Sequence, residues 1–273
     1  MTNPSIWNHI LIWPILNALI ALNKGFSLLG LPGSFGLAII SLTILIRLLL
    51  YPLTAAQLKS AKKMQDLKPH LEALKAKHGQ DKQKLAQAQM ALYKEHGVNP
   101  AAGCLPLLVS LPIFIALYRV FWNVLGGDLA ATLEQINKIV YFPFLKLDHL
   151  DLYFFGLNLA EKPSNWQNTG WWLLSIPFIT AVLYYLQVKM MAPAPVGKES
   201  PKPKKEKEGG MEEAMLSFTQ GPMNFFLPLM IGFFAYSFPI GLSLYWNTFT
   251  LLAIVQQYFT TGSGGLARSP SRG

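Results

Sequence analysis

Four apolar runs of this chain, Phe35–Leu53, Cys104–Leu125, Trp171–Met191 and Gly241–Tyr258, are long enough as helices to cross a bilayer. At ~1.5 Å of rise per residue each covers most or all of ~30 Å of hydrocarbon. A fifth run, Met223–Phe238, is marginal at sixteen residues. Lipid offers the backbone no hydrogen bonds, so segments of this kind survive there as helices. The composition agrees, with 52% hydrophobic and 14% charged residues, and in a membrane protein the 273-residue length sets no domain count. The expected fold class is an all-α integral membrane protein.

The connections differ in charge. Segment 58–103 holds nine lysines against four acids, 126–170 three against five, and 192–222 five lysines, while the tail after 260 holds two arginines. Lysine and arginine thus alternate rich, poor, rich. The positive-inside rule reads 58–103 as cytoplasmic, 126–170 as external and the C-terminus as cytoplasmic. The formal charge of +9 follows this loop pattern, so it argues for topology and no nucleic-acid specificity.

The expected organisation is an N-terminal element at 1–34, a first span at 35–57, a helical hairpin at 58–99 and a second span at 100–125. An external loop at 126–170, a third span at 171–191, a disordered cytoplasmic linker at 192–221, fourth and fifth spans within 222–260 and a tail at 261–273 complete it. Residues Ile6–Phe26 are long enough to span but contain Asn8, His9, Pro14, Asn17 and Asn23. A helix in the outer interface, with Trp7 and Trp13 at headgroup depth, is preferred over a sixth span, which leaves the N-terminus external. No cationic start precedes this run, so no cleaved signal peptide is expected.

In 58–97, Leu58, Ala61, Met64, Leu67, Leu71 and Leu74 recur at helical spacing, Gly79 reads as a stop and Asp81 as a new N-cap before Leu85, Ala88 and Leu92. Pro69 should bend or break the first arm. The lysines Lys59, Lys62, Lys63 and Lys68 form either a solvated face or a contact surface for lipid headgroups, ribosome or another protein. The single cysteine, Cys104, excludes an internal disulfide and is read as a small buried hydrophobe.

Arg47 is the costly residue. It sits mid-run in Thr43-Ile44-Leu45-Ile46-Arg47-Leu48-Leu49-Leu50-Tyr51-Pro52, and all fourteen acidic residues lie in the loops. A central arginine costs roughly 2.5–3.5 kcal/mol on insertion scales and more in simulation, so it needs water or a partner. A hydrated cavity is expected, with Thr43 and Thr54 on the same helical face. Gln187, Asn247, Thr248 and Thr250 either line that cavity or serve as interhelical hydrogen-bond glue. Arg119, near a span end, can snorkel.

No GxxxxGK[ST] loop occurs, and the five histidines lie outside the long spans, which leaves no tools for nucleotide hydrolysis or intramembrane proteolysis. Neither an enzyme nor a cofactor or metal is expected.

Several motifs in one order resemble the bacterial YidC insertases, relatives of the mitochondrial and chloroplast membrane-protein insertases. They are Phe35-Gly36-Leu37-Ala38-Ile39-Ile40, Ile46-Arg47, Tyr51-Pro52-Leu53-Thr54, Lys62-Lys63-Met64, Leu67-Lys68-Pro69 and Met90-Ala91-Leu92-Tyr93-Lys94. They continue with Asn99-Pro100, Gly103-Cys104-Leu105-Pro106-Leu107-Leu108, Pro112-Ile113-Phe114-Ile115-Ala116-Leu117-Tyr118, Gln187, Lys189-Met190, Phe238-Pro239-Ile240-Gly241-Leu242, Leu244-Tyr245-Trp246 and Gln256-Gln257. The resemblance implies a five-helix core around a hydrophilic groove, open to cytoplasm and lipid but closed outside, with a cytoplasmic hairpin. It implies Arg47, Thr43 and Gln187 in the groove, and Tyr245 and Trp246 against a passing client helix. It also implies nascent membrane-protein clients, the ribosome, the Sec translocon and lipids as partners, in the plasma (inner) membrane. The large external domain of many relatives is absent, Ser110 stands where many carry glutamine, and Arg119 where an aromatic is usual. A secondary anion transporter and a purely structural partner of Sec are the rival readings.

Overall fold

The computed structural model describes residues 3–79, 81–98, 105–191 and 223–263. The expected linker 192–221 and most of the tail lie outside the described residues.

A π-helical turn, Asn8–Ile12, runs into helix α1, Trp13–Leu28. Together these 21 residues are long and apolar enough to cross a membrane. Two of the asparagines that make this run polar, Asn17 and Asn23, are buried and partnered. Asn17 donates to the carbonyls of Trp13 and Ile139 and accepts from the Tyr141 N–H, while Asn23 accepts from the Ser34 hydroxyl at 2.9 Å. Partnering removes the ~1–3 kcal/mol cost of a buried unsatisfied group, so these residues dock α1 onto the bundle.

Helix α2, Ser34–Leu49, stops short of the end of its apolar run. Pro52 offers no N–H to the Leu48 carbonyl and crowds it, so a second helix, α3 (Tyr51–Asp66), starts at a 63° bend. The expected continuous helix over 35–53 is therefore two helices, and Thr54 lies on α3 beyond the bend instead of extending the Arg47 face. Arg47 consequently occupies the last turn of α2, not the middle of a helix.

The Pro69 break is present, with α3 ending at Asp66 and α4, Lys68–His78, holding Pro69 in its first turn, where a missing N–H costs nothing. Gly79 follows α4, and the Asp81 side chain caps α5, Lys82–Glu95, by accepting from the Lys84 N–H at 3.0 Å. Helices α4 and α5 lie side by side as a hairpin.

Helix α6, Leu105–Leu125, is followed by α7, Leu129–Ile139, an amphipathic helix inside what the sequence presents only as a loop. Asp128 caps α7 through the Ala130 N–H, and Thr132, Ile136 and Ile139 point inward. A two-stranded hairpin, β1 (Tyr153–Phe154) with β2 (Leu157–Asn158), and a short α8 (Trp166–Thr169) complete the region. A 3₁₀ turn, Trp171–Leu174, leads into α9, Ser175–Met191, matching the third expected span. Helix α10, Met223–Ser237, is about 22 Å long at ~1.5 Å per residue, and α11 runs Ile240–Thr261.

Helix α10 packs along α9, and α11 lies against α9, α2 and α3. The fully buried side chains include Leu16, Leu19 and Ile20 of α1, Phe35 and Ile39 of α2, Leu117 and Phe121 of α6 and Leu242 of α11. These are the first half of α2, the last half of α6 and the start of α11, so they meet at one end of the bundle. Backbone bonds close that end further, because the N–H groups of Ile240 and Gly241 donate to the carbonyls of Glu161 and Leu159, each at 2.8 Å. At the other end of α2, Leu45, Leu48 and Leu49 are 55%, 64% and 78% exposed. Among the described residues the fully buried side chains gather where α2 starts, while the last turns of α2 leave leucines uncovered by the rest of the chain.

Candidate functional site

Arg47 sits at the other end of α2, in its last turn. Its terminal nitrogen donates to the Phe249 carbonyl on α11 at 3.5 Å, a long bond, and its guanidinium carbon lies 4.2 Å from the centre of the Phe249 ring. The Nε is buried without a partner, and among the described residues no ion pair involves Arg47. A guanidinium has five N–H donors, so most of this group's bonding capacity is unused. Its place in the last turn of α2, beside carbonyls that the Pro52 break frees, supplies a partial negative field of the kind that stabilises cations at helix C-termini.

The neighbours of Arg47 divide. Thr43, one turn earlier, is 1% exposed, and its hydroxyl donates to the Ile39 carbonyl at 2.6 Å, so it packs within its own helix. Tyr245, 4% exposed, stacks obliquely against Phe121 and Phe249 and is within electrostatic reach of Arg47. Trp246 is the next residue of α11 and points about 100° away. It meets Phe114 of α6 edge-on at 5.3 Å and lines a cleft of about 220 Å³, including space open to solvent, with Thr180, Phe234 and Ser243. Arg47 and Tyr245 are thus brought together around Phe249, whereas Trp246 faces another flank of α11, where Ser243 also lies. Gln187 is half-buried on α9.

That flank carries further unpaired polarity. Ser243 Oγ and Asn247 Oδ1, one turn apart on α11, are buried without hydrogen-bond partners. Thr248 instead returns its hydroxyl to the Leu244 carbonyl.

Beyond the bend, Gln256 of α11 donates to the Tyr51 carbonyl at 3.2 Å and to the Thr54 hydroxyl at 2.5 Å. Thr54 in turn donates to the carbonyls of Leu50 and Tyr51. Gln256 thereby braces the kink that sets the position of Arg47. Sequence reasoning did not single out Phe249 or give Gln256 a task; the polarity of Gln256 in an apolar run was the available signal, and Phe249 offered none.

The lysines expected to form a contact face separate in role. Lys62 donates to the Thr261 carbonyl at 3.0 Å, capping the C-terminal end of α11, and Gln65 donates to the Met191 carbonyl at the end of α9. Lys59 and Lys63 are exposed, and the Lys68 side chain lies outside the described residues, as does that of Ser110. Arg119 is exposed on α6.

Residues 27–264 match the family described as 60Kd inner membrane protein. The chain is 32% identical over 259 residues to the chloroplast inner membrane protein ALBINO3 of Arabidopsis thaliana, which covers 89% of this chain and 50% of the relative. It is also 32% identical over 257 residues to the membrane protein insertase YidC of Rickettsia conorii, covering 93% of this chain and 39% of the relative. A crystal structure of an active YidC insertase with its first transmembrane domain resolved superposes with a TM-score of 0.50 at 26% identity, over 94% of this chain and 47% of that one. The chain spans half or less of the length of these relatives. The order of motifs, the helical architecture and the match from before α2 to the end of α11 together place the chain in the 60Kd inner membrane protein family, that of YidC and ALBINO3.

Proposed function

We propose that this protein is a membrane-protein insertase of the plasma (inner) membrane that moves client helices and short polar tails from the cytoplasm into and across the bilayer without nucleotide hydrolysis. The observation that carries the proposal is Arg47, half-buried, with one long hydrogen bond and no carboxylate partner among the described residues. A protein that keeps such a group in an apolar segment, where ionisable side chains are costly, has a transient anion for it. The acidic tail of a client is that anion. It enters at the open end of the bundle, where Lys59 and Lys63 are exposed, and pairs with Arg47 at reduced dielectric, where the attraction is stronger than in water.

In this reading the sealed end of the bundle is external, the open end cytoplasmic, and Arg47, Thr43, Gln187 and Tyr245 belong to one hydrophilic groove, with Trp246 on the client's exit path along α11. The burial of Thr43 and Tyr245 gives them a supporting role, fixing α2 against α11 around the arginine. The α4–α5 hairpin meets the ribosome, nascent chain or Sec translocon. α1 lies in the outer interface, and the C-terminus is cytoplasmic. An outside-positive potential favours outward passage of acidic tails by about 2.3 kcal/mol per charge per 100 mV.

The test is insertion of a single-span client with an acidic tail into vesicles holding the purified protein, with and without nucleotide. Insertion should proceed without nucleotide, fall strongly with Arg47→Ala, be retained in part with Arg47→Lys, and matter less for a client with a neutral tail. Equal insertion by wild type and Arg47→Ala, or Arg47-dependent anion flux without client, defeats the reading.

A further inference from the structure

The β-hairpin holds a residue the insertase reading does not use. Phe155 and Gly156 form its two-residue tip between Phe154 and Leu157, and Phe155 has a φ of +48° while being 88% exposed. Left-handed backbone is ordinarily left to glycine, asparagine or aspartate, and a bulky residue there is strained. A strained and exposed aromatic gains nothing in water.

The tip is fixed in place by its neighbour. The Phe154 ring fills the space where a side chain at Gly36 would stand, and Phe154 Cα lies 3.3 Å from the position of a Cβ on Gly33, so the hairpin is clamped on the first turn of α2. The same helix end receives the α1–α2 turn, in which Leu28, Leu29 and Leu31 are 80%, 73% and 42% exposed. Two loops far apart in sequence therefore present large apolar side chains around one helix mouth. Behind them the half-buried Lys24 donates from its ammonium to the Lys146 carbonyl, and the Lys146 side chain is exposed. Apolar tips backed by lysines at the end of a membrane helix match the interfacial zone of a bilayer, where rings and leucines sit among acyl chains and cations meet phosphates.

We propose that the hairpin tip at Phe155 and the α1–α2 turn at Leu28, Leu29 and Leu31 form a single lipid-inserting element in the outer leaflet. It rests on the reading of the chain as a membrane protein with its sealed end external. Lipid contact offsets the backbone strain at Phe155, and the element fixes the depth of α2, and hence of Arg47, in the bilayer.

The test places an environment-sensitive fluorophore at Phe155→Cys, at Leu29→Cys and, as a control, at Phe178→Cys on the exposed flank of α9, each in a Cys104→Ala background. The full chain is reconstituted alone in vesicles of phosphatidylglycerol and phosphatidylethanolamine. Labels at 155 and 29 should emit as from an apolar setting and be quenched by lipids with a nitroxide near the glycerol more than by aqueous iodide. If both report water while the control reports lipid, the element is not membrane-inserted and points to a protein partner instead. Insertion of only one of the two rejects a single element. Water at all three positions overturns the membrane reading together with this proposal.

Discussion

The Arg47 guanidinium stacks over the Phe249 ring at 4.2 Å, joining α2 to α11 across 202 residues of sequence. The same pair supplies the hydrogen bond from Arg47 to the Phe249 carbonyl, so one residue of α11 accounts for the polar and the cation–π partner. Cation–π contacts contribute about 0.5–1 kcal/mol when exposed and about 2 kcal/mol or more when desolvated. The contact holds the charge in place without neutralising it, as the proposed pairing with a client requires.

A double-mutant cycle measures that coupling. Phe249→Leu keeps the apolar bulk and removes the ring face. It should lower stability in detergent by about 1 kcal/mol in the wild type and by clearly less in an Arg47→Leu background. Arg47→Leu alone should be neutral or stabilising, since it deletes a poorly bonded guanidinium, while abolishing insertion of acidic-tail clients. Thermal unfolding of the four proteins, followed by circular dichroism, gives the cycle.

Gln256→Leu removes the brace between α11 and the α2–α3 bend. The loss of two donated bonds should cost about 1–2 kcal/mol. Insertion should fall because Arg47 loses its fixed position, although the arginine itself is untouched. Distances between spin labels on α3 and α11 should broaden; an unchanged distribution with full activity counts against the brace.

Gly36→Ala drives a methyl into the Phe154 ring. Overpacking of this kind costs typically 1–3 kcal/mol. Phe154→Ala is itself destabilising, yet it should make the Gly36→Ala change nearly silent. Melting temperatures of the two single variants and the double variant decide the point.

The Asp81 carboxyl is held below its ordinary range, chiefly by the backbone and side-chain bonds from Lys84. A depressed carboxylate contributes stability that is present above its unfolded value, near ~3.9, and is lost as pH falls through the lower folded value. Amide protection at the start of α5 should therefore persist at neutral pH and decline below pH ~4. Asp81→Ala should remove that pH dependence while leaving α2 and α11 protected.

Much of the architecture was legible before any fold existed. The helical run Trp171–Met191 coincides with its apolar run because its one proline, Pro177, falls in the first turn of α9, where a missing N–H costs little. The stop at Gly79, the cap at Asp81 and the break at Pro69 follow from local backbone chemistry, which needs no distant partner. The length of the first span was not legible. Its apolar character continues past Pro52, so hydropathy alone does not register the missing N–H that ends α2 at Leu49. Helix α7, about three turns with Leu129, Leu133 and Ile136 at helical spacing behind Asp128, is too short to cross a bilayer, so hydropathy alone leaves it inside a loop.

The sequence by itself determined that Arg47 lies in mid-run among apolar residues with every carboxylate in the loops, because charge and chain position are covalent facts. The tertiary structure alone decided that this arginine lies at a helix end, over Phe249, with Tyr245 near it and Trp246 turned away. Those relations depend on a 63° bend and on the packing of α2 against α11, and contacts across some two hundred residues leave no periodic trace in either segment.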